Sequence, residues 1–525
     1  MAIEGEIVGR TAAMIAAPVT AADWLVVAPV LVPIVCGAIL LMIRHNVRWH
    51  AVVAVAALVA MVAANVALLM RVLAEGPVSM TMGSWLPPFG ISFTVDALGA
   101  MFSLTASFVA LACCAYSVLD IDATGRRYGF YPFLLLMMAG VSGAFLTGDM
   151  FNLYVWFEVF LISSFGLLIL GSEKPQIDGA TKYAILNLVG TTLFLIATGY
   201  LYGTFGTLNM ADLAARVGQA DAAAPLTTLA SLFLLAFCMK AAAFPVNFWL
   251  PASYHTPPVI TGALFGGLLT KVGIYALLRT MLTIFAVERA ELAGVIGWIA
   301  AATMLVGALG ALAQSDIRRI SGFLVISGVG VMLAGIALGT ERGLSGTIFY
   351  AVHSMVSLSA LYLLGGLMRQ RGGSFSLHSL SGLYAASPFL TLLAMVVSLA
   401  VAGLPPGSGL WPKVMLVKAA LDGGEWPLAF AVLLSGFLAT IALGRVFILA
   451  FWRTDAVPAG GRPVEAPGQA AASRLGVATI TLLALAMVGM GVMPEPFVRA
   501  ATAAAGGLID TSAYVQAVFP PGGGQ

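Results

Sequence analysis

Long apolar stretches separated by short polar loops run along almost the whole chain. Because about 20 mostly apolar residues cross a bilayer as a helix, this pattern predicts fourteen membrane spans. The predicted spans are residues 22–44, 51–74, 97–119, 130–147, 150–171, 181–204, 226–250, 257–280, 292–313, 319–340, 344–368, 386–421, 427–452 and 474–494. The expected fold is therefore an all-α polytopic membrane protein.

Prolines interrupt two of these predicted spans. Pro245 removes the helical hydrogen bond to the carbonyl of Ala241, so we expect the seventh span to break beside Lys240. The sequence GLPPGSGLWPK interrupts the twelfth span, and Lys413 ends that motif. Interrupted helices in corresponding positions of two halves indicate an internal repeat with a site at the breaks.

Composition narrows the functional classes. Hydrophobic residues make up 60% of the 525 residues and charged residues only 9%, against roughly 25% charged in a soluble domain. The 25 Lys and Arg against 23 Asp and Glu give a net charge of +2, so there is no basic excess with which to hold a nucleic acid. The predicted partner is the lipid bilayer and not a nucleic acid.

No motif for a cofactor or a resident metal is found. The four cysteines (Cys36, Cys113, Cys114 and Cys238) all lie in apolar runs, without the spacing of a zinc or iron–sulfur site. His353 is the only histidine inside a predicted span, so the paired ligands of a membrane haem are missing, as is a phosphate-binding loop. We therefore expect no cofactor and no metal.

The distribution of basic residues predicts the orientation. Alternate loops carry 13 Lys and Arg on one side and seven, Arg279 among them, on the other. Since basic loops stay in the cytoplasm, both termini are predicted to lie outside. The first 20 residues lack the basic start of a cleaved signal, so the first span is expected to belong to the mature protein.

Six charged residues remain once those counted with the loops and span ends are set aside, and they are the candidate functional residues. They are Glu158, Lys240, Lys271, Lys413, Lys418 and Arg445. A charge at the bilayer centre costs at least about 2.5 to 3.5 kcal/mol, so one that is kept usually faces a wet cavity or a partner and marks an ion path. Glu158 lies nine residues after Asp149, which places it about 13 to 14 Å deep.

Structural explanations compete with functional ones at several of these positions. Lys418 has Asp422 four residues later, so a surface ion pair is as good an explanation as transport. Arg445 is expected to extend its side chain to the membrane surface. His353 is either a hydrogen-bonded structural residue or a proton carrier, and Gly262 and Gly266 of GALFG are expected to pack helices.

Four segments resemble a known family. They are TGDMFNLYVWFEVFLISSFGLLIL (147–170), KYAILNLVGTTLFLIATGYLYGTFGTLNMADLA (182–214), FPVNFWLPASYHTPPVITGALFGGLLTKVGIYALLR (244–279) and GLPPGSGLWPKVMLV (403–417). Together they resemble the antiporter-like family shared by complex I and the Mrp-type (Pha-type) cation/proton antiporters, over roughly residues 25 to 495. The FNLYVWFE form and the SYHTPP loop are most similar to the D-type subunits of the Mrp-type antiporters.

The resemblance implies a domain organisation. It implies fourteen transmembrane helices with two inverted five-helix repeats, and broken helices seven and twelve. The implied units are residues 1–129 (helices 1 to 3), 130–280 (helices 4 to 8, the first repeat), 281–452 (helices 9 to 13, the second repeat) and 453–525 (a cytoplasmic loop, helix 14 and the C-terminal tail).

The resemblance also implies a proton relay. Glu158 is similar to the family's glutamate on helix five, and Lys240 to the lysine on helix seven that pairs with it. Lys271 is similar to the bridging lysine on helix eight, His353 to a relay position on helix eleven, and Lys413 to the last lysine of the relay, on helix twelve. Lys418 is a secondary candidate. Some family members carry a lysine near the histidine on helix eleven, and this chain has none there. The middle of the relay would then depend on His353, on water and on three nearby serines (Ser354, Ser357 and Ser359).

The implied function is that of a secondary transporter component and not of an enzyme. Protons moving inward would drive efflux of Na+, or of K+ or Li+, in a complex with the A, B, C, E, F and G components of the Mrp-type antiporter in a bacterial cytoplasmic membrane. One alternative is a proton-pumping membrane component of a complex I-like NADH-quinone oxidoreductase or a membrane-bound hydrogenase. A structural membrane scaffold is the other. The sequence leaves open which cation is exported and whether its path runs through this chain.

Overall fold

The protein is described here by a computed structural model, which covers residues 20–83, 85–220, 224–454 and 467–519. Its N-terminal part contains two long helices, a β-hairpin and a third long helix. The elements are α1 (Ala21–Met42), α2 (Val47–Glu75), β1 (Val78–Thr81), β2 (Ser92–Val95), α3 (Ala97–Asp120) and α4 (Ala123–Arg127). The strands are antiparallel, with Val78 opposite Val95. This hairpin was not predicted from the apolar pattern.

The next part of the chain supplies most of the candidate residues. Its helices are α5 (Phe130–Leu146), α6 (Met150–Leu168), α7 (Lys174–Phe205), α8 (Met210–Val217), α9 (Leu226–Ala241), α10 (Trp249–Ser253) and α11 (Val259–Ile284). Asp149 caps α6 by accepting the backbone N–H of Asn152 at 2.8 Å. Two π-helical turns, Phe265–Leu269 and Arg279–Ile284, interrupt the regular hydrogen bonding of α11.

The remaining chain is again helical. Its helices are α12 (Ala286–Glu291), α13 (Ala293–Ala313), α14 (Ile317–Leu338), α15 (Glu341–Gly372), α16 (Leu383–Ala386), α17 (Pro388–Ala402), α18 (Leu410–Asp422), α19 (Trp426–Trp452), α20 (Pro467–Val492), α21 (Glu495–Ile509) and α22 (Ser512–Val518). Asp316 caps α14 and Thr340 caps α15 through their side-chain oxygens.

Within the described residues, eleven helices are long and apolar enough to cross a membrane, and α5, α9 and α17 are shorter apolar helices. Each predicted span overlaps one of these helices. The all-α polytopic fold is therefore confirmed. The total of fourteen spans stays a prediction, because it requires the three short helices to cross the membrane as well.

Two helices form the centre of the bundle. The most apolar 18 residues of α11 and of α15 are all buried inside the protein, whereas those of α1, α2 and α7 are less than half buried. A helix that is apolar all round and buried all round lies in the interior. Lys271 on α11 and His353 on α15, which are at most 1% exposed, are therefore kept away from both lipid and bulk solvent.

Both predicted helix interruptions are present. α9 ends at Ala241, and Ala242 takes a left-handed conformation with φ of 61°. α17 ends at Ala402, where Gly403 has φ of 86°, and α18 starts only at Leu410. Each break leaves helix-terminal carbonyl groups without their usual partners, and a lysine adjoins each one.

The predicted end of the eighth span was wrong. We expected the span to end at residue 280 and counted Arg279, at that end, with the loop residues, but the second π-helical turn continues α11 to Ile284. Arg279 is only 1% exposed. Counting Arg279 among the loop residues was therefore an error. Its charge is tolerated inside the protein because it pairs with the buried Asp96.

Candidate functional site

Glu158 on α6 and Lys240 on α9 belong to helices that both pack against α7. Lys240 is 5% exposed, and its Nζ donates a hydrogen bond to the Asn187 carbonyl oxygen of α7 at 2.9 Å. The same Nζ lies 5.8 Å from the centre of the Phe157 ring. The Glu158 carboxylate attracts Lys240 through space. The structure therefore brings these two residues together, with the ammonium hydrogen bond directed to a backbone carbonyl.

The Glu158 carboxyl group retains hydrogen-bonding capacity. Its Oε1 is buried and has no hydrogen-bond partner among the described residues. A buried carboxylate oxygen without a partner costs free energy, so such a group is usually kept for a purpose. Glu158 therefore has an oxygen that can accept a further hydrogen bond.

Lys271 lies on α11, directly after its first π-helical turn, and is fully buried. Its Nζ donates to the carbonyl oxygen of Gly266 at 2.8 Å. A π-helical turn removes backbone groups from the regular α-helical ladder and is often found at functional sites. The turn thus provides the acceptor that a buried ammonium needs.

A close backbone approach joins the first two lysines. A Cβ atom on Gly273 would come within 2.8 Å of the backbone nitrogen of Ala241. Ala241 follows Lys240 directly, and Gly273 lies two residues beyond Lys271. Glycine is therefore required where α11 touches the broken end of α9, since a larger residue would push the two helices apart.

His353 lies on α15 and is buried. Its Nδ1 lies 2.7 Å from Ser408 Oγ and its Nε2 lies 3.3 Å from Ser357 Oγ. Because a hydroxyl group can donate or accept, both neutral forms of the imidazole have partners. The charges of Lys271 and Lys413 both reach His353, and Lys413 lines the same small cavity as the imidazole.

The three serines expected near His353 have different environments. Ser357 contacts the imidazole, as given above. Ser354 donates to the Ala351 carbonyl at 3.3 Å, and Ser359 donates to the Ala263 carbonyl of α11 at 3.0 Å. Ser408, in the break between α17 and α18, was not singled out from the sequence, because its approach to His353 depends on how the broken helix folds back.

Lys413 lies on α18 against the end of α17. Its Nζ donates to the Ala402 carbonyl at 2.6 Å, which is one of the carbonyls freed by the helix break. A Cβ atom on Gly403 would come within 2.8 Å of the same Nζ. The left-handed glycine therefore ends α17 and leaves room for the ammonium group.

A small cavity lies between His353 and Lys413, the last two residues of the candidate relay. His353 and Lys413 both line it, together with Tyr350, Ser327 and Ser435. Its volume is about 10 Å³, which is the space that one water molecule needs. The hydroxyl groups in its wall supply the polar partners that such a water requires.

Lys418 lies apart from the other candidate relay residues, at the surface of the protein. Its side chain is 59% exposed, and its Nζ lies 3.4 Å from Asp422, which also pairs with Arg342 at 2.5 Å. Of the two alternatives drawn from the sequence, this arrangement is the surface ion pair. Lys418 and Lys413 nevertheless line the same groove of about 660 Å³ between α18 and α19.

Arg445 binds a helix end. Its Nη1 donates to the Leu312 carbonyl at 2.5 Å, close to the C-terminus of α13, where carbonyls lack helical partners and the helix dipole favours a cation. Leu312 lies one residue before the end of α13, so the extension toward the membrane surface stays a prediction that this contact does not contradict. Arg445 therefore stabilises a helix end and does not join the buried lysines.

Sequence reasoning missed a buried ion pair. Arg279 donates to both carboxylate oxygens of Asp96, at 2.7 and 2.9 Å, and its guanidinium lies over the rings of Tyr275 and Tyr514. Apolar residues flank Arg279 in YALLRTMLTIF, which was a signal that it continued a helix. Asp96 gave no such signal, because it also caps α3 by accepting the N–H of Gly99.

The GALFG motif packs helices, as predicted. A Cβ atom on Gly262 or on Gly266 would come within 3.2 or 2.7 Å of the Tyr362 ring of α15. The two glycines therefore allow α15 to lie directly against α11. This contact holds the helix of Lys271 against the helix of His353.

Comparisons with known proteins place the chain in one family. Residues 147–439 match the family model described as NADH:quinone oxidoreductase/Mrp antiporter, TM. The chain is 35% identical to the D-type subunit of the Na+/H+ antiporter of Alkalihalophilus pseudofirmus, over 94% of this chain and 99% of that protein. It is 29% identical to a chain in the structure of the Mrp complex from Dietzia sp. DQ12-45-1b, covering 95% of this chain and 100% of that one, with a TM-score of 0.87. A chain of respiratory complex I from Thermus thermophilus is 27% identical, with 92% and 100% covered and a TM-score of 0.78.

Proposed function

The chain belongs to the NADH:quinone oxidoreductase/Mrp antiporter family, and from this premise we propose that it is the D-type, proton-translocating subunit of a multisubunit Na+/H+ antiporter. The near-complete coverage of the D-type subunit from Alkalihalophilus pseudofirmus supports this assignment. The similarity to a chain of the Mrp complex from Dietzia sp. supports a hetero-oligomeric membrane complex, with the other Mrp-type components as its partners. The chain is part of a secondary transporter and not an enzyme.

The position of His353 carries the proposal for the site. It contacts hydroxyl groups through both ring nitrogens and lies under the electrostatic influence of both Lys271 and Lys413. A purely structural histidine needs one such partner, whereas a proton carrier needs one on each side. The proposed relay is therefore Glu158, Lys240, Lys271, His353 and Lys413, in that order.

The proposed reaction moves protons and forms no bond to a substrate. A carboxylate beside a buried ammonium favours the charged form of both groups, so Glu158 holds the proton of Lys240 when the two are close. When they separate, that proton passes toward Lys271. It then reaches Lys413 through the His353 imidazole and its serine partners, the imidazole taking a proton on one nitrogen and releasing one from the other.

Two physical terms give the transfer its direction and its driving force. Charges at this depth repel each other strongly, because little water screens them, so a proton arriving at one lysine favours release from the next. A charge crossing 100 mV gains about 2.3 kcal/mol. That free energy drives a second cation outward if both movements share one conformational cycle.

We further propose the orientation and the repeat organisation implied by the resemblance. The excess of basic residues in alternate loops supports a cytoplasmic membrane location, in a bacterium, with both termini outside. The lysines beside the two helix breaks, at Ala242 and at Gly403, support two five-helix repeats over 130–280 and 281–452. The terminal units are then 1–129 and 453–525.

The alternative of a complex I-like pumping component shares the fold and the residues named. The chain is 27% identical to its counterpart in complex I, against 35% for the D-type antiporter subunit. The antiporter assignment is therefore favoured. Purification of the chain with its native partners separates the two, because quinone-reductase or hydrogenase proteins would accompany a pumping component.

Transport by everted membrane vesicles tests the proposed function. Glu158→Gln and Lys240→Ala, each expressed in the full complex, should abolish Na+-dependent proton movement while leaving the complex assembled. Arg445→Ala is the matched control, because it removes a half-buried cation that binds only a helix end. Normal transport by both of the first two variants would refute the relay.

A further inference from the structure

A polar vestibule opens at the predicted cytoplasmic face. It has a volume of about 550 Å³. Charged residues in its wall are Asp120, Glu173, Asp316, Arg318 and Arg369. Val259, the first residue of α11, lies in the same wall. The vestibule therefore reaches the start of the helix that carries Lys271.

Only a short distance separates the vestibule from the buried ammonium group of Lys271. Gly266, whose carbonyl binds Lys271 Nζ, follows Val259 by seven residues. At 1.5 Å per residue this is about 10 Å along the helix. The ammonium group thus lies roughly two helical turns below the vestibule wall.

Three buried hydroxyl groups occupy this part of the protein. They belong to Tyr254, Thr261 and Tyr362, each of which is at most 1% exposed. None of the three oxygens has a hydrogen-bond partner among the described residues. Leaving a buried hydroxyl unpaired is costly, so three such groups in neighbouring residues indicate a function beyond packing.

The Tyr362 side chain spans the interval. Its ring lies against Gly262 and Gly266 of α11, and its hydroxyl would be 3.3 Å from a Cβ atom on Gly322 of α14. Asp316 and Arg318, both in the vestibule wall, act electrostatically on the same side chain. One end of Tyr362 is thus close to the vestibule, while its ring touches the residue that binds Lys271.

Tyr254 and Thr261 lie beside it. Tyr254 interacts electrostatically with Tyr362, and its carbonyl oxygen would be 3.0 Å from a Cβ atom on Gly262. Thr261 directly precedes Gly262 on α11. The residues that carry the three hydroxyl groups therefore meet at one turn of α11, between the vestibule and the first π-helical turn.

We propose that the hydroxyl groups of Tyr362, Tyr254 and Thr261 form the proton access path between this vestibule and Lys271. The inference rests on the proposed function, since it extends the relay to the aqueous phase. Each hydroxyl oxygen accepts one proton and releases another, so the hydroxyl is unchanged after the transfer. At the inner end the neutral Lys271 amine becomes an ammonium group, and in the opposite direction it becomes an amine again.

Removal of the hydroxyl groups tests the path. Tyr254→Phe combined with Tyr362→Phe, in the full complex in everted vesicles, keeps both rings and deletes both oxygens. Na+-dependent proton movement should fall about tenfold or more, with an unchanged Na+ concentration for half-maximal activity. Tyr131→Phe is the matched control, because it deletes a buried tyrosine hydroxyl that bonds to Ser117 at 2.9 Å, far from α11 in the sequence.

A solvent isotope measurement separates a path from a packing role. If proton passage between Lys271 and the vestibule has become the slow step, transport by the double variant should slow more in D2O than wild-type transport does. An unchanged isotope effect, or a wild-type rate in the assembled double variant, would overturn the proposal. If the double variant fails to assemble, Tyr362→Phe with Thr261→Val replaces it under the same two criteria.

Lys271→Ala in the same assay distinguishes this inference from the proposed function. An inactive Lys271→Ala beside fully active tyrosine variants would refute the access path and leave the relay intact. A fully active Lys271→Ala would refute the proposed function itself.

Discussion

Arg279 and Asp96 form a bidentate ion pair in which the two side chains are 1% and 6% exposed. The pair joins the last turn of α11 to the first turn of α3, and the ring of Tyr514 on α22 covers the guanidinium. Three distant parts of the chain therefore meet at one buried charge.

Breaking this pair should destabilise the protein. Asp96→Asn leaves the buried Arg279 without its counter-charge, and loss of one partner of a buried pair costs about 3 to 5 kcal/mol. We expect a lower thermal unfolding temperature for the purified complex. Arg499→Gln, which removes an exposed pair with Glu495 whose side chains are more than three-quarters exposed, should change stability little. Equal stability of the two variants would contradict the structural role given to Arg279.

Ser408 should matter for transport although it carries no charge. Ser408→Ala removes the hydroxyl 2.7 Å from His353 Nδ1, and a hydrogen bond of about 1 kcal/mol corresponds to a several-fold loss in rate. Ser321→Ala is the control, because that buried hydroxyl bonds to the Ile317 carbonyl of its own helix, α14. Vesicle transport assays should show a slower rate for the first variant alone, and equal rates would remove Ser408 from the path.

Gly403 should tolerate a side chain poorly, for two reasons. Its φ of 86° is unfavourable for alanine by roughly 1 to 2 kcal/mol, and a methyl group there would meet the Lys413 ammonium. Gly424→Ala supplies the matched control, since Gly424 has φ of 76° with no atom within 4 Å of an added Cβ. Both variants carry the backbone cost, but only Gly403→Ala should lose proton movement in vesicles.

His255, in the loop before α11, should make stability depend on pH. Burial lowers the pKa of His255 below its ordinary value of 6.5, and the Arg319 guanidinium lowers this pKa further. The neutral ring donates from Nδ1 to the Pro251 carbonyl and accepts from Arg319 at Nε2. The folded protein therefore binds fewer protons at this site than the unfolded chain, so stability is present above pH 6.5 and is lost as the pH falls through and below that value.

A comparison of wild type with His255→Gln checks this pH dependence. Thermal unfolding of the solubilised protein at about pH 7.5 and about pH 5.5 covers the range over which an ordinary histidine titrates. The wild type should lose more stability on acidification than the variant. Parallel curves would show that His255 does not contribute.

The sequence predicted much of the architecture, for a physical reason. Lipid requires long apolar helices and makes charges within them costly, so Glu158, Lys240 and Lys271 were recognisable without a structure. Pro245 and the glycine–proline motif before Lys413 marked the two helix breaks, because proline cannot continue the backbone hydrogen bonding of a helix.

Other features depend on tertiary packing that no local pattern records. The π-helical turn that supplies the acceptor of Lys271, the continuation of α11 past Arg279, and the approach of Ser408 to His353 each follow from how helices meet. The β-hairpin of β1 and β2 is too short for a period of two to be distinguished in an apolar chain. The pairing of Arg279 with Asp96 links residues 183 positions apart, which periodicity cannot reveal.

Lys413 and Lys418 provide the most direct test, because they lie five residues apart on one helix and differ in burial. Lys413 binds the freed carbonyl of the helix break, whereas Lys418 is exposed and paired with Asp422. We predict that Lys413→Ala abolishes Na+-dependent proton movement in everted vesicles and that Lys418→Ala transports at close to the wild-type rate. Normal transport by Lys413→Ala in an assembled complex would contradict the claim that the lysines beside the helix breaks conduct protons.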